Sequence, residues 1–506
     1  MSNNNNDLFA LIHALTPKEK RLVENHVFVY TKGGSSALLK LYKAICRQKE
    51  FNDEPLRKLI PNLSVRKNEL WNKIMLVLQS NEQDIAVVRM RRKLDFAHIL
   101  FKKQLFHQGA PILEELIEWC NRYHQPFFRG VLLQYESLFY QAMFDNWLDK
   151  LDTLRTEGKR VAGEIETATE AYEYYCLAEA IDRRQFVPRS DSYKVRAREL
   201  LQHELRQLDE SKMNLQSYCV FNSAVSGLYY LLEDYTTADF YEKKMRTAFN
   251  LVKEKTPIDW INYRNFLLST MANTEKLQRY NEMEADLNEL KSVMETYFPN
   301  DLITHSKYYI KMLDFILGAR QFEKYADNIR EIESHLTKTV DHMLEEDRIF
   351  LSWSLACLFF EIGNLKKAWK YCHDILMSKM EWHNELRDFM KIFIWLIYYE
   401  SGELQLISTA IARVKSDIRK HPGLDYRFEN TFIRFFSKLI KQPFGKKNTS
   451  ALFFAFGKEL EDELSAGHFH IRQAFIAYNF FNWINRHCNG SFTFTPQQYL
   501  PANHQI

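Results

Sequence analysis

The chain has 506 residues, of which 46% are hydrophobic and 14% aromatic, a composition that excludes an intrinsically disordered protein. Only 15 residues are glycine and 12 are proline, which argues against a fold built from many β-hairpins. The first 105 residues hold 19 of the 68 basic and 10 of the 65 acidic residues. This basic region predicts an acidic partner such as nucleic acid, or docking on the chain's own acidic remainder.

Residues 1–84 are predicted to form a small, basic helical domain. A short helix over residues 53–60, a break at 61–63 and a longer helix from residue 64 have the spacing of a helix-turn-helix. The side chains predicted to contact DNA phosphates or base edges follow this break: Arg66, Lys67, Asn68, Lys73, Arg89, Arg91 and Arg92. A helical cap that binds no nucleic acid is the alternative interpretation of the same segment.

Residues 85–424 contain a repeated pattern of an aromatic-rich helix, a short polar turn, and a second helix that opens with a small or aliphatic residue. Those opening residues are separated by 39 to 46 positions: Gly109, Leu151, Ala197, Ala238, Met283, Ala326, Ala368 and Ile407. A period of about 42 residues is typical of stacked helical hairpins. We therefore predict an all-α protein, with the N-terminal domain followed by a right-handed α-α superhelix.

The segment around residues 354–377 resembles a tetratricopeptide repeat. The residues that carry the resemblance are Leu355, Ala356, Phe359, Gly363, Ala368 and Leu376. Residues 225–248 fit the same pattern at Tyr229 and Ala238, whereas the other units are degenerate. The resemblance covers about residues 85–420, with a period longer than the usual 34 residues. It implies that a concave groove binds a protein or peptide.

Three further segments resemble a family of uncharacterised bacterial helical-repeat proteins. They are residues 15–21, 63–70 and 479–484, with the sequences LTPKEKR, LSVRKNEL and NFFNWI. This second resemblance implies no particular activity.

The tetratricopeptide register also implies which side chains line the concave groove. Counted from the alanine positions, they are Ser223, Tyr230, Lys311, Phe315, Trp353 and Phe360. For the large aromatic residues, packing between neighbouring hairpins is the alternative, and it is favoured for Trp353 and Phe360.

Residues 425–506 are rich in phenylalanine at helical spacing, which predicts a C-terminal helical cap over the end of the repeat core. An aromatic surface that docks a partner is the alternative interpretation.

Motifs for catalysis or cofactor binding are missing from the sequence. There is no G-x-G-x-x-G turn, no G-x-S-x-G elbow and no H-E-x-x-H helix, and residues 444–450 lack the upstream glycine of a P-loop. His468 and His470 stand two apart, so on a helix they point to different faces and cannot share a metal. We therefore expect no enzyme activity, cofactor or metal.

The seven cysteines are dispersed, and no two have the C-x-x-C spacing. Such a pattern is typical of reduced thiols in the cytoplasm. The sequence has neither a secretory signal nor an apolar run of membrane-spanning length. We expect a soluble, cytoplasmic scaffold that binds a protein or peptide through its groove. The alternative is a regulator whose N-terminal domain binds DNA while the repeats sense a signal.

Overall fold

A computed structural model describes residues 7–15, 17–29, 37–48, 51–81, 86–143, 147–181, 191–252, 255, 257–340, 342–378, 384–421, 423–441 and 446–488. Within these ranges the protein is all-α, with 24 α-helices and no strand. Consecutive helices pack against one another through most of the chain, as in a helical solenoid. The predicted fold class is thus confirmed.

The chain forms two compact units, Met1–Lys159 and Arg160–Ile506, and the boundary falls inside one long helix. The helices of the first unit, with that long helix last, are α1 (Asp7–Ala14), α2 (Pro17–Val29), α3 (Ala37–Cys46), α4 (Glu54–Leu59), α5 (Leu63–Asn81), α6 (Ala86–Lys102), α7 (Phe106–Arg122), α8 (Pro126–Met143) and α9 (Trp147–Ala180). Helix α5 packs against α2 and α3, whereas α7 packs against α6 and α8. These two groups have separate apolar cores.

The second unit continues with fifteen helices in its described residues. They are α10 (Ser192–Leu201), α11 (Leu215–Leu231), α12 (Tyr235–Leu251), α13 (Pro257–Lys276), α14 (Tyr280–Tyr297), α15 (Leu302–Ala319), α16 (Ala326–Thr339), α17 (Glu345–Ile362), α18 (Leu365–Leu376), α19 (Asn384–Glu400), α20 (Leu404–Lys420), α21 (Arg427–Leu439), α22 (Lys446–Ser465), α23 (Phe469–Ala477) and α24 (Phe480–His487). From α11 to α22 they follow one another as hairpins, with close packing in every pair except α15–α16, which is joined through side chains such as Tyr309 and Glu331. One apolar core runs from Cys219 to Cys488 through all of these pairs.

Five hairpin turns in the described part of the second unit contain one residue with positive φ. Gly363 and Gly402 occupy that position with φ of 86° and 76°, where glycine has no Cβ to clash. Glu233, Gln278 and Arg320 adopt the same left-handed conformation at the equivalent turns. In the Glu233 and Gly363 turns an Asp or Asn then caps the second helix: Asp234 accepts a hydrogen bond from the Thr237 backbone N–H at 3.0 Å.

The fourth residue of the second helix is buried in α7, α12, α14, α16, α18 and α20. Gly109, Ala238, Met283, Ala368 and Ile407, five of the predicted positions, all stand fourth in their helices. Methionine and isoleucine are fully buried at this position, as alanine is. The position therefore requires an apolar side chain, and it requires a small one only where the two helices approach closely.

Two predicted repeat positions do not occupy the buried fourth position of a second helix. Leu151 is exposed, because α9 continues for 34 residues without turning back as a hairpin. Ala326 is the exposed first residue of α16, and Ile329 fills the buried fourth position instead. The predicted domain boundary at residue 84 lies outside the described residues, and that at residue 424 stays a prediction.

Candidate functional site

Polar side chains come together on the first helices of four consecutive hairpins, α11, α13, α15 and α17. We call this group the interior cluster; its members are Tyr230, Glu275, Lys276, Lys311, Asp314 and Ser354. Tyr230 contributes from α11, and its phenol lies within electrostatic range of all four charged members. The cluster therefore joins residues that are up to 124 positions apart in the sequence.

Two ion pairs form the centre of the interior cluster. Lys276 Nζ lies 3.0 Å from Glu275 Oε1, and Lys311 Nζ lies 3.0 Å from Asp314 Oδ2. The Ser354 hydroxyl is 3.5 Å from the other Asp314 oxygen. The four charged side chains keep only 18% to 25% of their surface exposed, so each pair is screened from bulk water but still reachable by it.

The pKa directions show that the two pairs act on each other. Partial burial raises the pKa of Asp314, and the Glu275 carboxylate adds to that rise against the opposing Lys311 ammonium. Burial alone would lower the pKa of Lys311, but Asp314 and Glu275 outweigh it and raise that pKa. Burial likewise opposes ionisation of Glu275, yet Lys276 and Lys311 hold its pKa below the ordinary value. All four groups thus share one electrostatic environment.

The C-terminal helices contact the hairpins on both sides of the interior cluster. We call residues 468–488 the C-terminal arm. Arg472 pairs with Glu233 in the α11–α12 turn, and Gln473 donates a hydrogen bond to the same carboxylate at 3.1 Å. The Tyr478 hydroxyl donates to Glu361, at the end of α17, at 2.6 Å.

The last turn of the arm bonds to the next hairpin as well. Trp483 Nε1 donates to Glu400 Oε1 at 2.6 Å, and His487 Nε2 lies 2.7 Å from the same oxygen. Burial would raise the pKa of Glu400, but the bonds from His487 and Trp483 lower it below the ordinary value. Glu361 and Glu400 both stand two residues before the left-handed glycine of their turn. The arm therefore bonds to the same position in two successive repeats.

Two of the predicted groove residues, Tyr230 and Lys311, belong to the interior cluster. Ser223 is half-buried on α11, two helical turns before Tyr230. The pKa of Tyr230 is raised by burial, so its phenol stays neutral and can both donate and accept a hydrogen bond.

The other three predicted groove residues are buried among aromatic rings. Phe315 packs edge-on against Tyr325, with 5.4 Å between ring centroids. Trp353 packs against two phenylalanines of α19, with centroids 5.2 and 5.6 Å away. Phe360 contacts Phe393 of the next hairpin at 5.3 Å, which is the packing between hairpins that the sequence analysis favoured.

The predicted DNA-contacting residues lie on α5 and α6. Helix α4 ends at Leu59 and α5 begins at Leu63, one residue earlier than expected. Arg66 pairs with Glu69 at 2.6 Å and Lys67 with Asp53 at 2.5 Å, so both cations have carboxylate partners. Asn68 is exposed on the same helix.

The remaining basic residues differ in exposure. Lys73 and Arg92 are half-buried, whereas Arg89 and Arg91 are exposed near the start of α6.

Sequence reasoning missed four members of the interior cluster: Glu275, Lys276, Asp314 and Ser354. A signal for Lys276 exists, because it stands two residues before the left-handed Gln278, where Glu361 and Glu400 stand in their repeats. That shared position is recognised only when the turns are aligned on their residue with positive φ. A glycine in the sequence indicates such a residue, whereas a glutamine does not.

Neither the protein-family models nor the curated proteins that were compared with this sequence gave a match. In the described ranges, no helix is both long and apolar enough to span a bilayer. The same ranges contain no group of three His, Cys, Asp or Glu side chains arranged to hold a metal ion.

Proposed function

We propose that the protein is a non-enzymatic, cytoplasmic scaffold that binds a peptide or protein segment on the inner side of its helical hairpins. The observation that carries the proposal is the interior cluster: charged, partly exposed side chains on α13 and α15, two first helices that pack against each other. Buried ion pairs are weak sources of stability, because desolvation offsets their attraction. Charged groups whose pKa values are shifted by burial and by specific charged neighbours are candidates for a functional site.

The unused hydrogen-bonding capacity of the cluster supports the same proposal. An ammonium group has three donors. Within the described part of the chain, Lys276 and Lys311 each donate to one carboxylate. The resemblance of residues 354–377 to tetratricopeptide repeats, which implies peptide binding in a concave groove, agrees with this location.

Affinity selection in solution tests the proposal. Full-length protein would be mixed with a synthetic library of peptides 3 to about 10 residues long (a span of about 10 to 35 Å when extended), and bound peptides would be identified by mass spectrometry. The expected result is enrichment on the native protein and loss on the double variant Lys311→Gln/Asp314→Asn. Equal enrichment on both proteins, or none on either, would refute peptide binding at this site.

A second candidate function is DNA binding by the first unit. The specific observation behind it is the α4–turn–α5 arrangement, in which a three-residue turn precedes a helix that exposes Asn68 near its start. The pairing of Arg66 and Lys67 with carboxylates argues for a purely structural role of these two cations.

Fluorescence anisotropy of the full chain with mixed-sequence duplex DNA at several salt concentrations distinguishes the two roles. A DNA-binding regulator would bind at micromolar or lower concentration, lose affinity steeply with salt, and lose it in Arg66→Glu/Lys67→Glu. Absence of binding at low salt would leave the first unit as a helical cap.

A further inference from the structure

The interior cluster contains equal numbers of positive and negative groups in one space. Lys276 and Lys311 carry the positive charges, and Glu275 and Asp314 the negative ones. Both ion pairs join residues of a single helix, one between chain neighbours and one across three positions. Each ion pair is therefore held within its own helix. In the described residues, no hydrogen bond joins the Glu275–Lys276 pair to the Lys311–Asp314 pair.

Positively charged hydrogen-bond donors and a negatively charged acceptor in the cluster remain available to a ligand. Each ammonium donates to one carboxylate in the described residues, and Glu275 Oε2 accepts no hydrogen bond there. Tyr230 adds a neutral hydroxyl group from α11, whereas the buried Ser354 hydroxyl donates to Asp314. A ligand carboxylate can thus be bound by the ammonium groups, and a ligand ammonium by the glutamate.

The cluster has no net charge, and this restricts the charge of a ligand that can bind in it. A ligand with a single charge would add an uncompensated charge to a poorly solvated space, which is unfavourable because the charge loses its hydration. A ligand that carries one charge of each sign adds none. Its two ends can pair with the free donors and acceptors while both native ion pairs persist.

The two ion pairs lie on neighbouring helices, because α13 packs directly against α15. Glu275 influences the protonation of both Lys311 and Asp314, so the pairs act within one local field. An extended tripeptide measures about 10 Å. The C-terminal arm is bonded to Glu233 after the end of α11 and to Glu361 at the end of α17.

We propose that the interior cluster binds a short zwitterionic ligand, whose free ammonium and free carboxylate groups pair with Glu275 and with Lys276 and Lys311. The inference rests on the proposed peptide-binding function where the ligand is a tripeptide. Free amino acids carry the same two groups and are the other source of this chemistry.

Thermal unfolding and calorimetric titration of the full chain with four probes test the inference. The probes are a random tripeptide mixture with both ends free, the same mixture N-acetylated and C-amidated, a long peptide mixture with both ends capped, and a mixture of free amino acids. We expect the free tripeptides to raise Tm, and capping both ends to weaken binding about tenfold or more, since charged hydrogen bonds are lost.

Each outcome decides between the inference and the function on which it rests. Equal binding of free and capped tripeptides would overturn the inference while leaving peptide binding intact, as would binding of long capped peptides alone. Binding of free amino acids without tripeptides would support the zwitterion site and refute the peptide scaffold. If none of the probes binds, both proposals fall.

Matched variants locate the binding. Lys311→Gln/Asp314→Asn removes one ion pair without changing net charge, and it should abolish the response to free tripeptides. Lys291→Gln/Glu295→Gln removes an exposed pair on α14, 4.0 Å apart, and should leave the response unchanged. If the double variant fails to fold, Tyr230→Phe, which deletes one hydroxyl oxygen of the cluster, replaces it in the same titration. An unchanged response in a folded Lys311→Gln/Asp314→Asn protein would overturn the assignment.

Discussion

Glu242 is a buried carboxylic acid at the junction of α11, α12 and α13. Its side chain accepts hydrogen bonds from Ser226 at 3.1 Å, Ser269 at 3.3 Å and Asn273 at 3.2 Å. Burial raises its pKa from 4.5 to about 7, although these three bonds oppose the rise. The folded chain therefore takes up a proton here at pH values where the unfolded chain has released it.

The pKa shift of Glu242 makes stability fall as pH rises from about 4.5 to 7, because the raised folded-state pKa favours the protonated form. Glu242→Gln should therefore gain stability relative to the native protein across this range, by about 3 kcal/mol in total, and the gain should level off above pH 7. Urea unfolding at pH 5, 6, 7 and 8 measures it. Glu166→Gln on exposed α9 is the control; a constant difference between Glu242→Gln and the native protein would contradict the prediction.

Gly109 shows why one repeat position requires the smallest side chain. A Cβ atom at this residue would lie 2.6 Å from Cδ1 of Phe101. The Phe101 ring cannot move aside, because Phe106, Tyr135 and Phe139 surround it with ring centroids 5.4 to 6.3 Å away. Gly109→Ala should destabilise the protein by about 1 to 3 kcal/mol.

The matched control for Gly109 is Gly163, another helical glycine. Nothing lies within 4 Å of a Cβ built on Gly163. Gly163→Ala should therefore stabilise the chain by roughly 0.5 to 1 kcal/mol, through the lower conformational entropy of unfolded alanine. Thermal unfolding of the two variants should shift in opposite directions, and a destabilisation of equal size in both would contradict the steric explanation.

At the scale of the helical hairpin, several turns place a residue other than glycine in the left-handed conformation, which is energetically unfavourable. Gln278 adopts φ of 57°, a conformation that costs a residue with a Cβ about 1 kcal/mol. Gln278→Gly should raise stability by several tenths of a kcal/mol, with the benefit in the turn partly offset by the greater freedom of unfolded glycine. The measurement is the urea concentration at the midpoint of unfolding, and Gln405→Gly, in the first turn of α20, is expected to lower it.

The hairpins could be predicted from the sequence because each repeats a local pattern of aromatic helix, polar turn and buried fourth residue. The pattern failed at α9, where no turn residue interrupts the helix, and at α16, where the turn is longer and shifts the buried position from Ala326 to Ile329. Tyr230 and Lys311 were predicted from the same register. Glu275 and Asp314 were not, since a charged residue inside a helix is usually exposed to solvent.

At the scale of the whole second unit, the C-terminal arm links hairpins that are far apart in the sequence. Glu233 is bonded by Lys194 at 2.7 Å and also by Arg472 and Gln473 of the arm. A repeat array without such contacts is stabilised only by neighbouring repeats. The sequence gives no sign of this link, because no local pattern relates Arg472 to Glu233.

The link predicts that a change in the arm affects a distant hairpin. Arg472→Gln removes one partner of the buried Glu233 carboxylate, so the backbone amides of the α11–α12 turn should exchange hydrogen faster. Hydrogen exchange followed by mass spectrometry measures this effect, with Arg330→Gln, at an exposed residue of α16, as the control. Faster exchange confined to α21–α24 would mean that the arm does not stabilise the distant turn.

The same contact has a consequence for synthesis of the protein on the ribosome. Arg472 is added to the chain 239 residues after Glu233. At translation rates of roughly 5 to 20 residues per second, this separation corresponds to roughly 10 to 50 s. During that interval the α11–α12 turn can form with Lys194 but without the arm. The nascent second unit therefore passes through a partly assembled state whose last contacts are made only when the arm has emerged.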